Sequence, residues 1–437
     1  MLQNKTTNNF TLSNIAGYEE EKAEAIKIIN LFKNYDKLRE FGVHIPKGLI
    51  LSGLPGVGKT LMAKVIANES KVPFYEFECS EDDTPQKIIA NLKKLYEEAR
   101  NNAPSIVLID ELDELVSSDD YVTDFSRTML KGLLTELDGV KNSEGVLTIA
   151  TTNYYERLPG PLLRSGRMDK HINFELPDFD ARKAILKLYT TDKQIINNID
   201  FDEVAARTSS FSGADLKTLV NETIIETVNS GKEIVTSEDF YLTIPNVLFK
   251  GIKKNVLNEA VDHICYHELG HFICEYVLNK NIAEISVERI GNVGGHIHIY
   301  QVKDIYNNES YEYCKNKAIV LLGGYAAEKI FMGQTYTGVS NDFTKYSRWI
   351  ETMCSCGMLG SKYIFDELMI KNIKYGNETS SRVEVKEKCF NEHLAIAEKI
   401  INDNRDLILF LFNHLKEQKK LEPKNIEVLI SKFEEIR

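Results

Sequence analysis

Residues 48–60 read Gly-Leu-Ile-Leu-Ser-Gly-Leu-Pro-Gly-Val-Gly-Lys-Thr, an apolar run followed by a glycine-rich turn that ends in a lysine and a hydroxyl. Gly48–Ser52 predicts a buried strand, and Leu61–Ser70 predicts a helix. Gly-x-x-x-x-Gly-Lys-Thr between a strand and a helix is the context of a phosphate-binding loop. Gly53, Gly56 and Gly58 let the backbone curl so that its N–H groups can face phosphate oxygens. Lys59 is then placed to neutralise the β- and γ-phosphates of a nucleotide, and Thr60 to hold Mg2+. Pro55, Val57 and Leu61 complete the stretch expected to line the nucleotide.

Downstream, Ile106-Val-Leu-Ile-Asp-Glu111 is a second apolar run, closed by two acids. Asp110 is suited to complete the Mg2+ shell and Glu111 to orient an attacking water, with a solvated strand-end pair as the bland alternative. Asn153, after the apolar stretch Leu147–Thr151, can position the same water. Strands are expected at Gly48–Ser52, Ser105–Ile109 and Gly145–Thr151, and helices at Leu61–Ser70, Gln86–Arg100 and Phe125–Leu137. Buried strands alternating with helices predict a parallel α/β sheet. Pro177-Asp178 ends this region. Residues 179–245 read as helical, including Asp180–Thr190 and Ser212–Ser230, and predict a small helical domain. Leu163-Arg-Ser-Gly-Arg167 carries two arginines. Each alone reads as a surface arginine; beside a phosphate-binding loop they become candidates to complete a neighbour's site in a ring.

After a polar junction near Gly251–Lys254 comes Tyr266-His-Glu-Leu-Gly-His-Phe272. On a helix, His267 and His271 lie at i and i+4 and share one face, where both imidazoles can reach a single Zn2+. Glu268 can take a proton from water that the ion acidifies. Ala260, Val261, Ile264, Ile273 and Cys274 make an apolar helix suited to a buried site, and Gly270 tolerates close approach. Zinc needs a third protein ligand. His296 and His298 alternate on a β-like segment within Ile282–Val302 and share one face where they could be ligands, but a polar strand face is the better reading. Asp342 heads a helical stretch and reads by itself as a helix-cap acid.

At 437 residues the chain needs two or three domains. With 43% hydrophobic and 27% charged residues it has an ordinary globular composition. A net charge of −12 argues against broad nucleic-acid binding. Seven scattered cysteines do not form a disulfide framework and predict reduced thiols; Cys354 and Cys356 are too close for Cys-x-x-Cys. No window approaches the roughly 18–20 apolar residues of a membrane-spanning helix. Residues 1–10 read as a disordered tail.

With these residues in view, the chain resembles the FtsH family of ATP-dependent zinc proteases, an AAA+ ATPase module followed by an M41-type peptidase. The resemblance covers roughly residues 10–430. Ile15-Ala16-Gly17 resembles the family's start near the adenine pocket, which implies nucleotide contact at Ala16. Thr128–Gly139, Thr148–Asn153, Leu162–Asp169 and Phe211–Asp215 resemble the segments around Walker B, sensor 1, the arginine fingers and the lid helix. Gly323-Gly-Tyr-Ala-Ala-Glu328 and Thr337-Gly-Val-Ser-Asn-Asp342 resemble peptidase segments, and the second implies Asp342 as the third zinc ligand. The strand near Gly294–Tyr300 would correspond to the edge that aligns a substrate peptide.

The chain also departs from the family. The family's membrane helices are absent. The Phe-Val-Gly pore loop falls near residues 81–87, where this chain has Glu-Asp-Asp-Thr-Pro-Gln-Lys without an aromatic. Lys170 replaces the second finger arginine, leaving Arg167 as the finger. Val140 replaces the phenylalanine of an Asp-Gly-Phe element.

The resemblance therefore implies a multidomain chain: a tail over 1–10, an α/β P-loop AAA+ domain over 11–177, a small helical lid over 178–249 and a mainly α-helical zinc peptidase over 250–437. It implies ATP, Mg2+ and Zn2+ as cofactors, unfolded or damaged protein substrates, and a homo-hexamer, without nucleic acid. The membrane enters only through a segment not present here. The chain is expected to be cytoplasmic, or on the cytoplasmic side of a membrane if an N-terminal anchor has been removed. Two other readings stand beside the ATP-driven protease: a zinc protease whose AAA+ domain mainly scaffolds a ring, and a non-proteolytic remodeller.

Overall fold

The computed structural model describes residues 10–43, 45–78, 84–116, 124–138, 145–193, 195, 199–248, 262–287, 296–299, 310–360 and 380–436. The tail over 1–9, Glu81–Asp83 of the pore segment, Gly139, Val140, the Gly251–Lys254 junction and the side chains of His296 and His298 lie outside the described residues. The chain divides into two compact units, Met1–Ile244 and Pro245–Arg437.

In the first unit the elements run α1 (Glu19–Lys33), α2 (Tyr35–Glu40), β1 (Gly48–Gly53), α3 (Lys59–Ser70), β2 (Phe74–Phe77), α4 (Pro85–Asn101), β3 (Ser105–Ile109), α5 (Leu112–Leu115), α6 (Asp124–Asp138), β4 (Val146–Thr152) and β5 (Lys170–Phe174). The five strands form one parallel sheet in the order β2-β3-β4-β1-β5. Its inner strands are buried on both faces and mostly apolar, because both faces are covered. Leu49, Leu51, Ile106, Leu108, Leu147 and Ile149 face a layer that holds α1 and α3. The alternate positions Ile50, Val107, Ile109, Val146 and Ala150 face a layer that holds α4 and α6. The start of α4 follows from its sequence: Thr84 caps it and Pro85 occupies the first turn, where a missing N–H costs nothing.

The same unit continues with α7 (Phe179–Thr190), α8 (Phe201–Ala206), α9 (Gly213–Asn229) and most of α10 (Ser237–Leu248), within which the division at Ile244 falls. Asp178, Asp200 and Ser212 cap the first three through side-chain oxygens that accept from backbone N–H groups. Ser212 and Asp215 form a reciprocal capping box. No helix among the described residues is long and apolar enough to cross a membrane.

The second unit holds α11 (Asp262–Asn279), β6 (Ala283–Ser286), β7 (His296–Ile299), α12 (Tyr311–Met332), α13 (Ser340–Ser355), α14 (Ser380–Asp403), α15 (Arg405–Gln418), β8 (Lys420–Leu421) and α16 (Pro423–Ile436). A small antiparallel sheet runs β7-β6-β8. Helices α11 and α12 pack backbone to backbone: a Cβ on Gly270 would lie 2.2 Å from the Gly323 carbonyl oxygen, and one on Gly323 would lie 2.5 Å from that of Gly270. Larger residues at either position would force the helices apart.

Two strands of the parallel sheet were not expected from the sequence. β2 has only four residues, and β5 reads Lys-His-Ile-Asn-Phe, too polar to resemble a buried strand. As an outer strand, β5 buries only Ile172 and Phe174 and exposes the rest. The described cysteines are free thiols, of which Cys356 alone is exposed.

Candidate nucleotide and metal sites

The glycine-rich turn leaves β1 beside the outer strand β5, at the carboxyl end of the parallel sheet, where α/β folds place ligands. Gly53, Gly56 and Gly58 take φ of 139°, 81° and 104°, a region that favours glycine. Gly58 is the residue from which α3 starts, so the loop's N–H groups and the helix N-terminus are near each other. Lys59 Nζ donates to the carbonyls of Gly53 (2.7 Å) and Leu54 (2.8 Å) and to Asn153 Oδ1 (2.8 Å). Burial pushes its ammonium down, while the carboxylates of Asp110, Asp113 and Glu111 oppose that shift.

Thr60 Oγ1 donates to Asp110 Oδ1 at 3.0 Å, and Thr151 Oγ1 donates to the same oxygen at 2.5 Å. A hydroxyl and a carboxylate in contact offer adjacent oxygen ligands, the donor set Mg2+ takes beside phosphate. Glu111 sits at φ 54°, a strained conformation for glutamate, held by its N–H donating to Thr151 Oγ1 at 2.9 Å. Its carboxyl is raised, first by Glu114, then by burial and by Asp110 and Asp113. The α9 cap closes on the loop: Ala214 N donates to the Gly56 carbonyl at 3.0 Å. Gly17, next to Ala16, has φ 69° and would set a Cβ 2.4 Å from that of Ala181 on α7.

Arg167 does not join this cluster. Its Nε and Nη2 donate to Asp138 Oδ1 and Oδ2 at 2.5 and 2.7 Å, and Nη1 donates to the Pro161 carbonyl. The bidentate pair holds the Asp138 carboxyl below its usual range. Sequence reading missed this partner, which no spacing rule connects to the arginine.

In the second unit, His267 Nε2, His271 Nε2 and an Asp342 carboxylate oxygen face one point. The nitrogens are 3.0 Å apart, and Asp342 Oδ2 is 3.2 Å from the first and 3.5 Å from the second. A tetrahedral ion with ligands at ~2.0–2.1 Å spaces them about 3.3 Å apart. The opposite ring nitrogens are engaged: His267 Nδ1 meets Glu328 Oε1 at 2.8 Å, and His271 Nδ1 meets the Val320 carbonyl at 2.7 Å. Both partners only accept, so each Nδ1 carries a proton, and with the rings neutral each Nε2 turns a lone pair inward. Two lone pairs and a carboxylate in contact repel unless positive charge sits among them. The electrostatics state the same demand. Burial pushes the His267 imidazole down, but hydrogen bonds to Asp342 and Glu328 reverse this and lift it to about 10. Burial also raises Asp342, yet His267 and His271 bring it well below the carboxylate range.

Glu268 is 6% exposed, and burial raises its carboxyl, with His267 and His271 opposing. Gly324 is required by space: a Cβ there would lie 2.6 Å from both His267 Cε1 and His271 Nε2. Tyr266 fixes the rotation of α11, its ring stacked between Phe331 (4.6 Å) and Phe412 (4.3 Å). Glu328 was visible in the sequence only as the end of a resembling segment; its contact with His267 has no signature in spacing. Backbone pairing sets His296 and His298 opposite Ser286 and Glu284.

Residues 49–176 match the ATPase family associated with various cellular activities (AAA), 198–242 match an AAA+ lid domain, and 255–429 match peptidase family M41. An ATP-dependent zinc metalloprotease FtsH 2 of Thermoanaerobacter sp. is 32% identical over 433 residues, covering 96% of this chain and 83% of the relative. The chain belongs to the FtsH family. A second FtsH 2, from Phytoplasma mali, is 31% identical over 97% of this chain, which spans only 63% of that relative. An FtsH of Caldicellulosiruptor bescii is 31% identical over 96% of the chain and 72% of the relative. The expected α/β ATPase, helical lid and helical peptidase are thus the fold of an FtsH-family chain.

Proposed function

We propose that the chain is an ATP-dependent zinc endopeptidase that unfolds or translocates polypeptides and cleaves their peptide bonds. The observation that carries this reading is the convergence of His267, His271 and Asp342 beside the buried Glu268. Two imidazoles and a carboxylate are a hydrolytic zinc set, and zinc bound there supplies a Lewis acid that lowers the pKa of water toward ~7. The chain's own groups do the remainder. The Val320 carbonyl and Glu328 hold the two rings in the tautomer that aims Nε2 at the site. Glu268, with its raised carboxyl, accepts a proton from water near neutral pH and returns it to the leaving amine. Among the described residues β7 is an edge strand, suited to take an extended peptide as an added strand.

In the other unit, Gly53, Pro55, Gly56, Val57, Gly58, Lys59, Thr60 and Leu61 would hold the triphosphate, Asp110 with Thr60 the Mg2+, and Ala16 the base. Bound ATP supplies the free energy for moving substrate. Glu111 and Asn153 orient the attacking water. Arg167 serves a neighbouring subunit in a homo-hexamer, for which it must leave Asp138. We assign 11–177 to the ATPase domain, 178–249 to the lid and 250–437 to the peptidase. The substrates are unfolded or damaged proteins, and the chain works in the cytoplasm or at the cytoplasmic face of a membrane.

The test combines metal analysis with casein hydrolysis. One zinc per chain and casein cleavage that Glu268→Gln abolishes are expected. Purified protein with no stoichiometric divalent ion, or equal turnover by the variant, would overturn the reading.

A further inference from the structure

We propose that Tyr336, clamped on His263, is a positioning residue that holds the metal centre's two ligand helices in register. The proposal rests on the zinc reading above and concerns residues outside the ligand set.

α12 ends at Gly333, which takes φ 67°, and a short strap leads from it to the 3-10 turn Thr337–Val339 and then α13. Gly333, Gln334, Thr335, Thr337 and Gly338 are exposed, so the strap has little packing of its own. Tyr336 is its half-buried exception. Its ring stacks on His263 at 4.2 Å between centroids, with the planes 26° apart. Gln334 Nε2 donates to its hydroxyl at 2.8 Å. Its backbone N–H donates to Glu328 Oε2 at 2.8 Å, and the other oxygen of that buried carboxylate holds His267 Nδ1. One residue thereby ties two ligands: His267 through Glu328, and Asp342 through the short chain that follows the strap. His263 lies one helical turn before His267 on the same face of α11, so the clamp and the first ligand belong to one rigid helix.

The physical consequence is selective. Removing the Tyr336 ring frees the strap, lets its N–H drift from Glu328, and loosens the orientation of both His267 and Asp342. Losing an outer partner of a metal ligand costs about 10–100-fold in metal affinity. Removing only the His263 ring leaves the N–H contact and costs the stack alone, about three- to ten-fold.

The experiment measures zinc affinity of the full chain by competition with a chromophoric chelator, alongside kcat and KM on a fluorogenic peptide. Tyr336→Ala is expected to weaken zinc binding about 10–100-fold and to lower kcat at subsaturating zinc with KM unchanged. Tyr336→Phe, which keeps the ring and the N–H, is expected to recover the affinity. His263→Ala should lose a few-fold and His263→Phe should regain it, because a phenyl ring stacks but cannot ligate. Wild-type affinity in Tyr336→Ala would overturn the proposal. So would a His263→Phe variant as weak as His263→Ala, since His263 would then be acting as a ligand. A wild-type chain that binds no zinc would instead remove the metal reading itself.

Discussion

Glycine is used differently in the two sites. At Gly58 of the phosphate-binding loop the demand is conformational alone: it has φ 104° and no atom within 4 Å of where a methyl would sit, so a side chain would fit in space and fail on backbone angle, whereas Gly53 and Gly56 are also crowded. In the metal centre the demand is spatial: Gly324 lies in regular helix, and a Cβ there would press on both histidine rings. The difference extends to the polar groups. Lys59 is satisfied by its own loop's carbonyls and by Asn153, so the nucleotide site stands closed on itself. His267, His271 and Asp342, with both rings neutral, leave like-signed electron pairs facing one another, a point that calls for a positive charge. The loop of the first site is shaped by local sequence and its acids arrive from neighbouring strands; the second exists only after several helices have met.

The sharpest way to break this contrast acts on Arg167, the proposed finger, which is held by Asp138 and the Pro161 carbonyl rather than by the loop. Arg167→Ala is expected to lower ATPase activity by about 10³–10⁵-fold in the assembled protein. Hydrolysis of an unfolded peptide should change far less. A steady-state ATPase assay showing a loss under tenfold would mean that the Asp138 pair is the arginine's structural role.

Next in size, Glu268→Gln should reduce peptide hydrolysis by about 10²–10⁴-fold while leaving ATPase activity and zinc content in place. Zinc analysis of the inactive protein separates this from collapse of the site. Loss of the ion together with activity would show that the carboxylate holds the site together rather than taking a proton.

How much could be read in advance follows the same division. Residues 53–60, Asp110, Glu111, His267, Glu268 and His271 announce themselves by short fixed spacings, because each motif lies within one loop, strand or helix. The parallel sheet was legible in its inner strands, as in Ile106–Ile109, while the four-residue β2 was too short to read although it is mostly buried. β5 was not, since its outer position permits Lys170, His171 and Asn173. Asp342 was legible by resemblance and not by spacing, because its approach to His271 depends on how α13 packs against α12. Glu328 and Tyr336 act through hydrogen bonds between separate elements, and periodicity carries no trace of such contacts. Asp138 as partner of Arg167 belongs to the same class.

Gly324→Ala sharpens the glycine comparison. The new methyl must displace His267 or His271, and zinc affinity is expected to fall about 10–100-fold with ATPase activity unchanged. Gly58→Ala should do the reverse, lowering nucleotide affinity through backbone strain of about 1–3 kcal/mol while zinc stays bound. Isothermal titration of each variant with nucleotide and zinc gives the four numbers. If both variants lost both ligands, the two sites would not be separable in the way their glycines imply.

The smallest effect concerns acid. His393 on α14 is 3% exposed, and Tyr346, one turn past Asp342 on α13, lies 3.0 Å from its Nδ1 through the hydroxyl. Burial, helped by Lys315 and opposed by Glu392, pushes the imidazole down to about 4. The folded protein therefore keeps this ring neutral while the unfolded chain, titrating near 6.5, takes up a proton. The stability it contributes is complete above about pH 6.5 and is lost as the pH falls toward 4. Between pH 7.5 and 5 the loss is about 2 kcal/mol from this residue alone. Urea melts of wild type and His393→Gln at both pH values check it. The variant should be less stable at pH 7.5, since its amide must repack against Tyr346, yet lose about 2 kcal/mol less on acidification. Parallel acid dependence in the two proteins would place the sensitivity on other groups and leave the α13–α14 contact neutral to pH.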